Sequence, residues 1–161
     1  MLSIRAGMVL LVAALAGPVC GYAAEPPGAG NKPAQGYAQA QSLVDEAATF
    51  LRQAGPDQAF AAFNDPNGKW VRGDLYIFAF DQKGTYRATG FQPERTGTNA
   101  WELTDVSGFK VVQAIIAKSQ RNGSGLVEYL WKNPLSNRIE MKTSYVLKVD
   151  DFVIGAGFYP R

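Results

Sequence analysis

LVEYLWKNPLSNRIEMKTSYVLKVDDFVIGAGFY, residues 126–159, is the stretch whose reading decides the fold. It holds three runs rich in aromatic and β-branched residues, 126–131, 139–148 and 152–159, which is the composition of strands. Asn133-Pro134-Leu135-Ser136-Asn137 and Val149-Asp150-Asp151 separate them. Neither connection is long enough for the crossover that parallel neighbours require, so the three strands form an antiparallel meander. Upstream, Leu75-Tyr76-Ile77-Phe78-Ala79-Phe80 and residues 85–89 flank Asp81-Gln82-Lys83-Gly84, a turn ending in glycine, and predict a hairpin. Five strands result.

The N-terminal half has a different texture. Tyr37, Ala40, Leu43, Val44, Ala47, Phe50, Leu51 and Ala54 recur at intervals of three and four, which places them on one stripe of a long helix. Gly55 ends that helix, and Pro56 suits the first turn of a short second one carrying Ala59, Phe60, Ala62 and Phe63. Between the hairpin and the meander, residues 90–105 read as a long loop, and Phe109, Val111, Val112, Ala114, Ile115 and Ile116 as a mid-chain helix closed by Asn122-Gly123-Ser124-Gly125. The expected class is α+β: a five-stranded antiparallel sheet with a long N-terminal helix and a mid-chain helix packed on it.

Composition excludes several functions. The 161 residues contain no histidine and one cysteine, which removes imidazole bases, His-dependent triads and His metal ligands. No nucleophile elbow, phosphate-cradling glycine loop or paired-acid motif is present, so the reading is not an enzyme. Asp65-Pro66-Asn67-Gly68 echoes a calcium loop but lacks its later glutamate, and no metal or cofactor is expected. A formal net charge of +2 offers no basic stripe for nucleic acid.

The first 23 residues read as an address. Arg5 precedes MVLLVAALA, residues 8–16, Gly17-Pro18 breaks the run, and Gly21-Tyr22-Ala23 offers small residues for cleavage after Ala23. A lipoprotein reading of Cys20 is weaker, since Pro18 and Val19 hold the thiol two positions beyond Leu15-Ala16-Gly17. Residues 24–34 then form a Gly/Pro/Ala-rich leader, and residues 35–161 one domain. The mature chain would be periplasmic, without cysteine or a membrane span.

From Ala47 to Tyr159 the chain resembles the single Cache domain of the second type, a PAS-related extracytoplasmic sensor module of chemoreceptors and histidine kinases. The resemblance rests on blocks in order: Ala61-Ala62-Phe63-Asn64-Asp65, Gly73-Asp74-Leu75-Tyr76-Ile77-Phe78, Asp81 with Gly84, Gly97-Thr98-Asn99, Asp105 with Gly108, Gly123-Ser124-Gly125, Val127-Glu128-Tyr129-Leu130-Trp131, Lys142-Thr143-Ser144-Tyr145-Val146, and Val153-Ile154-Gly155-Ala156-Gly157-Phe158-Tyr159. It implies a pocket on one face of the sheet for a small organic acid such as a short carboxylate. Thr89 and Gly90 stand where the family usually has a His-Pro pair. Receptors of the family flank the domain with membrane helices. This chain, with an export signal and a last strand two residues before Arg161, is expected to be a free-standing form that signals through a membrane sensor kinase or chemoreceptor.

Physical chemistry singles out the same region. A small anion needs a fixed cation, hydroxyl donors and apolar walls that keep water out. Lys142 is the first-choice cation, and Arg87, Arg95 and Lys132 are further candidates able to meet a carboxylate. Lys142 and Tyr145 have odd spacing and point to opposite faces of a regular strand, so either a bulge realigns them or only one enters the pocket. Tyr129 and Trp131, a same-face pair, serve as walls and phenol donor or else pack a helix on the sheet. Tyr76 and Phe78 form a second such pair, with Tyr76 read as pocket and Phe78 as core. Trp101 either closes over a ligand or anchors its loop, and Asp105 reads as a turn or capping residue. The functional expectation is a ligand-binding sensory module, the alternative a ligand-free interaction domain of an envelope sensor kinase or complex.

Overall fold

The computed structural model describes residues 32–160. The proposed signal peptide and most of the leader lie outside the described residues, and Lys32 to Ala34 already belong to the first helix. The elements are α1 (Lys32–Phe63), β1 (Val71–Arg72), β2 (Leu75–Asp81), β3 (Tyr86–Thr89), α2 (Val111–Asn122), β4 (Ser124–Lys132), β5 (Ile139–Val149) and β6 (Phe152–Phe158). α1 breaks where the sequence indicates. Gly55 leaves helical geometry at φ 79° and ψ 165°, a backbone setting that glycine alone adopts without strain, and Pro56 begins the helical turns that follow.

The five expected strands are present, joined by the two-residue β1. The sheet order is β1-β2-β6-β5-β4, with β3 pairing the same edge of β2 further along. β4, β5 and β6 form the antiparallel meander, and β6 closes against β2. α2 begins two residues later than its apolar pattern suggests. Phe109 stays outside it, 41% exposed, because its N–H is donated to the Asp105 carboxylate rather than to a helical turn.

The two helices cover opposite faces. α1 lays Leu43, Val44, Ala47, Leu51 and Phe63 on Ile77, Ala79, Tyr145, Ile154 and Ala156. α2 lays Val111, Val112, Ile115 and Ile116 on Tyr76, Phe78, Phe80, Tyr129, Val146 and Val153. Strand alternation thus gives each face its own core.

Candidate functional site

The site grows from two glycines. Across the α2 face, register aligns Phe78 with Gly155 and Val146, and Ser144 with Gly157. A Cβ at Gly155 would collide with the Phe78 ring, and one at Gly157 with Lys142 Cε and Ser144 Oγ. The missing side chains therefore clear a floor on β6. The ring from β2 lies across one gap, and the lysine from β5 lies across the other.

Lys142 ends in an aromatic enclosure. Its Nζ is 3.9 Å from the Tyr76 ring centroid, 5.5 Å from that of Tyr159 and 5.8 Å from that of Phe78. The residue is fully buried, and among the described residues its Nζ is the buried side-chain polar atom with no hydrogen-bond partner. Burial lowers the amine to about 7, against a smaller upward pull from Asp74. Next to it, the buried amide of Asn133 donates to Asp74 Oδ2 at 3.3 Å and Glu140 Oε2 at 2.9 Å.

The surrounding phenols stay protonated. Burial pushes Tyr129 up, only partly offset by its 2.9 Å hydrogen bond with Ser144 Oγ. Burial also raises Tyr76 and Tyr159, and their proximity to Tyr129 adds to the effect because neighbouring phenolates would repel. The Tyr159 hydroxyl donates to the Lys132 carbonyl at 3.0 Å.

Above this floor lies a cavity of about 20 Å³, room for roughly one water before any side chain moves. Of the residues singled out from sequence, Tyr76, Phe78, Thr89, Tyr129 and Trp131 line it. Lys142 does not line it but stands behind the Tyr76 ring. Tyr145 is on the other face, edge-on to Tyr37 of α1 with ring centroids 5.9 Å apart. β5 is regular at that point, so no bulge realigns the pair.

Arg87 also leaves the site, and a bulge is the reason. Ala79 pairs with Ala88 and Phe80 with Tyr86, so Arg87 is the extra residue on β3. Simple alternation would have put Arg87 beside Thr89. Instead its guanidinium lies over Phe60 and Phe152, at 5.7 and 5.8 Å, while Tyr86 and Thr89 both turn to the cavity. The same irregularity hid Tyr86 as a site residue. Phe80, Gln92, Leu103, Val111, Val112 and Ile115 complete the wall, and in sequence they carry only the signal of core or loop. Gly90, in the family's proline position, donates its N–H to Ile77 at 3.0 Å, a bond proline cannot make.

The loop between β3 and α2 is tied down at both ends. Asn64 Oδ1 accepts from the Thr89 N–H and the Thr96 hydroxyl, each at 2.9 Å. Asp105 accepts from Ser107 and Phe109 with one oxygen and from the Leu130 N–H of β4 with the other. These bonds, led by the Ser107 hydroxyl, hold its carboxyl down at about 2. Trp101 packs beside Gly84 and does not line the cavity. A more open recess of about 240 Å³, bordered by Arg95, Asp105 and Lys132, shares Gln92, Leu103 and Trp131 with the inner cavity. Arg95 also reaches Tyr86 and offsets part of the upward push that burial gives that phenol.

A larger hollow, about 720 Å³, is an open groove along the outside of α1 bordered by Asp45, Glu46 and Lys69. It encloses nothing, and no unpartnered buried polar atom faces it. Among the described residues no group of three or more His, Cys, Asp or Glu is gathered to hold a metal ion. No helix there is long and apolar enough to cross a membrane.

Comparison with known proteins places this geometry. A stretch of 88 residues, 53% of the chain, is 36% identical to the sensor histidine kinase MctS of Rhizobium johnstonii, and the match spans only 19% of that kinase. A methyl-accepting chemotaxis protein of Vibrio parahaemolyticus superposes with a TM-score of 0.69 at 22% identity, over 79% of this chain and 89% of that one. A Cache chemosensory domain studied for carboxylic acid recognition gives a TM-score of 0.65 at 21% identity, over 81% and 94% of the two chains. The periplasmic sensor domain of a chemotaxis protein gives 0.60 at 25% identity, over 80% and 92%. The model of the family called single Cache domain 2 matches residues 34–160. With the long helix and the antiparallel sheet matched, this chain belongs to that family of extracytoplasmic sensor domains, which are themselves non-catalytic.

Proposed function

We propose that this chain is a periplasmic ligand-binding module for a small organic acid, and that it passes its signal through a membrane sensor kinase or chemoreceptor. The observation that carries this reading is the fully buried Lys142, with no hydrogen-bond partner, behind a tyrosine-lined cavity. Burying a cation with no hydrogen-bond partner and only a weak pull from Asp74 is costly, and a carboxylate in the cavity across the Tyr76 ring would offset part of that cost. Tyr129 and Tyr76 give hydroxyls that remain protonated, and Phe78, Val112 and Ile115 give dry walls. The carboxylic acid recognition described for a related Cache domain supports the same class of ligand.

Calorimetry and thermal shift with acetate, propionate, pyruvate and lactate test the reading. At least one acid is expected to saturate the domain and raise its melting temperature with the logarithm of its excess over Kd. Trp131→Ala is expected to weaken that acid about tenfold or more, through loss of a large wall residue. Absence of any saturable acid would overturn it. Export is tested separately: the protein recovered from the periplasm should begin at Ala24.

One observation favours a second reading. A cavity of about 20 Å³ is smaller than any of these acids, so an aromatic plug that merely completes the core would serve a ligand-free interaction domain. A reproducible sensor-kinase partner, captured equally with and without the acids and unaffected by Trp131→Ala, would decide for it.

A further inference from the structure

Because Lys142 stands in a dry enclosure without a partner, the charge state of the site is not fixed by the protein alone. An ammonium has three N–H donors, and a low-dielectric site that leaves them unmade disfavours the charged form far more than the neutral amine. The groups facing Lys142 can be followed element by element. β2 offers the rings of Tyr76 and Phe78, the end of β6 offers Tyr159, and β4 offers Tyr129, whose hydroxyl is engaged with Ser144. One layer further out, β3 places Tyr86 near Tyr76 and Tyr129, and Arg95 approaches it from the loop. The α2 residues on this side, Val111, Val112 and Ile115, are apolar. The acids nearby are Asp74 and Glu140, which share the Asn133 amide.

When an anion enters this enclosure, its charge must be balanced or it will not stay. The phenols of Tyr76, Tyr129, Tyr86 and Tyr159 are all pushed up and stay neutral, so they offer hydrogen bonds but no positive charge. Asp74 and Glu140 would, if anything, repel it. Lys142 is the group whose protonation adds the missing positive charge, and its Nζ is one aromatic ring from the cavity.

We infer that the site takes up an anion and a proton together: Lys142, left without a hydrogen-bond partner in the empty domain, gains a proton when a carboxylate occupies the cavity beside Tyr76 and Tyr129. The inference rests on the carboxylate reading given above and adds its regulation. In the balance, a carboxylate and one proton from solvent combine with the neutral amine to leave a carboxylate and an ammonium buried on the two sides of the Tyr76 ring, and no other bond changes. Burial bringing the amine to about 7 puts the transition where the pH outside a cell varies. The module would then report an acid more strongly in acidic surroundings than in alkaline ones at the same carboxylate concentration.

The test is calorimetry of the full chain with acetate, propionate, pyruvate and lactate at pH 8, in two buffers that differ in protonation enthalpy. About one proton taken up per acid bound is expected, with affinity falling about tenfold per pH unit from pH 7.5 to 9.5 and levelling off below pH 6. The wild-type proton count needs no variant. K142M, where it folds, should bind weakly and without the pH slope. An acid that binds with no proton uptake and a flat affinity to pH 9.5 would overturn this inference and leave the carboxylate reading standing. No binding of acetate, propionate, pyruvate or lactate at any pH from 5.5 to 9.5 would overturn both.

Discussion

On the α1 face of the sheet, Leu43, Val44, Ile77, Ile154 and Ala156 meet with no exposed surface and no polar atom in need of a partner. On the α2 face the same strands bury Tyr76, Tyr129, Ser144 and Lys142 among aliphatic residues, and one nitrogen there has no partner. The first face is closed by shape. The second is closed only in volume, because its polar groups are incompletely matched. A domain that carried its stability alone would not need the second arrangement, since replacing an unmatched buried charge with an apolar side chain is generally favourable. This contrast is what supports the proposal of a ligand site under α2, with α1 as structural backing.

The contrast breaks most visibly at Lys142. Its folded-state value, lowered by burial to about 7, lies below that of an unfolded lysine. The folded state therefore bears the full cost of the charge below neutral pH, and the cost fades as pH rises towards 10. Lys142→Met is expected to stabilise the domain at pH 6 and to lose that advantage by pH 10, a change of roughly 4 kcal/mol. Urea melts at both pH values measure it, and an advantage that does not shrink as pH rises would contradict the assignment. Leu43→Ala, on the opposite face, should destabilise by about 3 kcal/mol through lost burial and a cavity. That loss should be the same at pH 6 and pH 10, because no titrating group is involved.

Smaller effects sharpen the boundary. Ser144→Ala leaves the Tyr129 hydroxyl buried without its 2.9 Å partner and should cost about 1 kcal/mol in the same melts. Arg87→Ala should leave the affinity for any acid that binds within about twofold in calorimetry, since the guanidinium lies over Phe60 and Phe152 on the α1 side. A tenfold loss would return Arg87 to the site.

The strand meander, the hairpin and the break at Gly55 were legible because they depend on local rules: short connections, alternating apolar residues and a glycine ahead of a proline. That Tyr76 shares a face with Phe78, and Tyr129 with Trp131, was legible for the same reason; that all four line the cavity was not, since Phe78 reads as core and the second pair reads equally as helix packing. Tyr145 faces away from Lys142 as strand periodicity requires, because β5 carries no bulge between them. The bulge exists elsewhere, at Arg87, where one extra residue moves a cation away from the site and brings Tyr86 in. No pattern in residues 85–89 announces it, because a bulge is settled by pairing with β2 and not by composition. The acids beside Lys142 were equally hidden. Asp74 and Glu140 are 66 positions apart, and the Asn133 amide that joins them lies in a turn that reads as ordinary.

The single carboxylate of Asp105 has a consequence for how the molecule behaves among its neighbours. By occupying the outward N–H of Leu130 at 2.9 Å, it blocks one rung on the free margin of β4, so a stray chain meets an interrupted ladder there rather than an open template. It also staples the covering loop to the residue next to Trp131. A carboxyl held near 2 keeps that staple intact in acid surroundings, the condition under which the amine behind Tyr76 gains its charge.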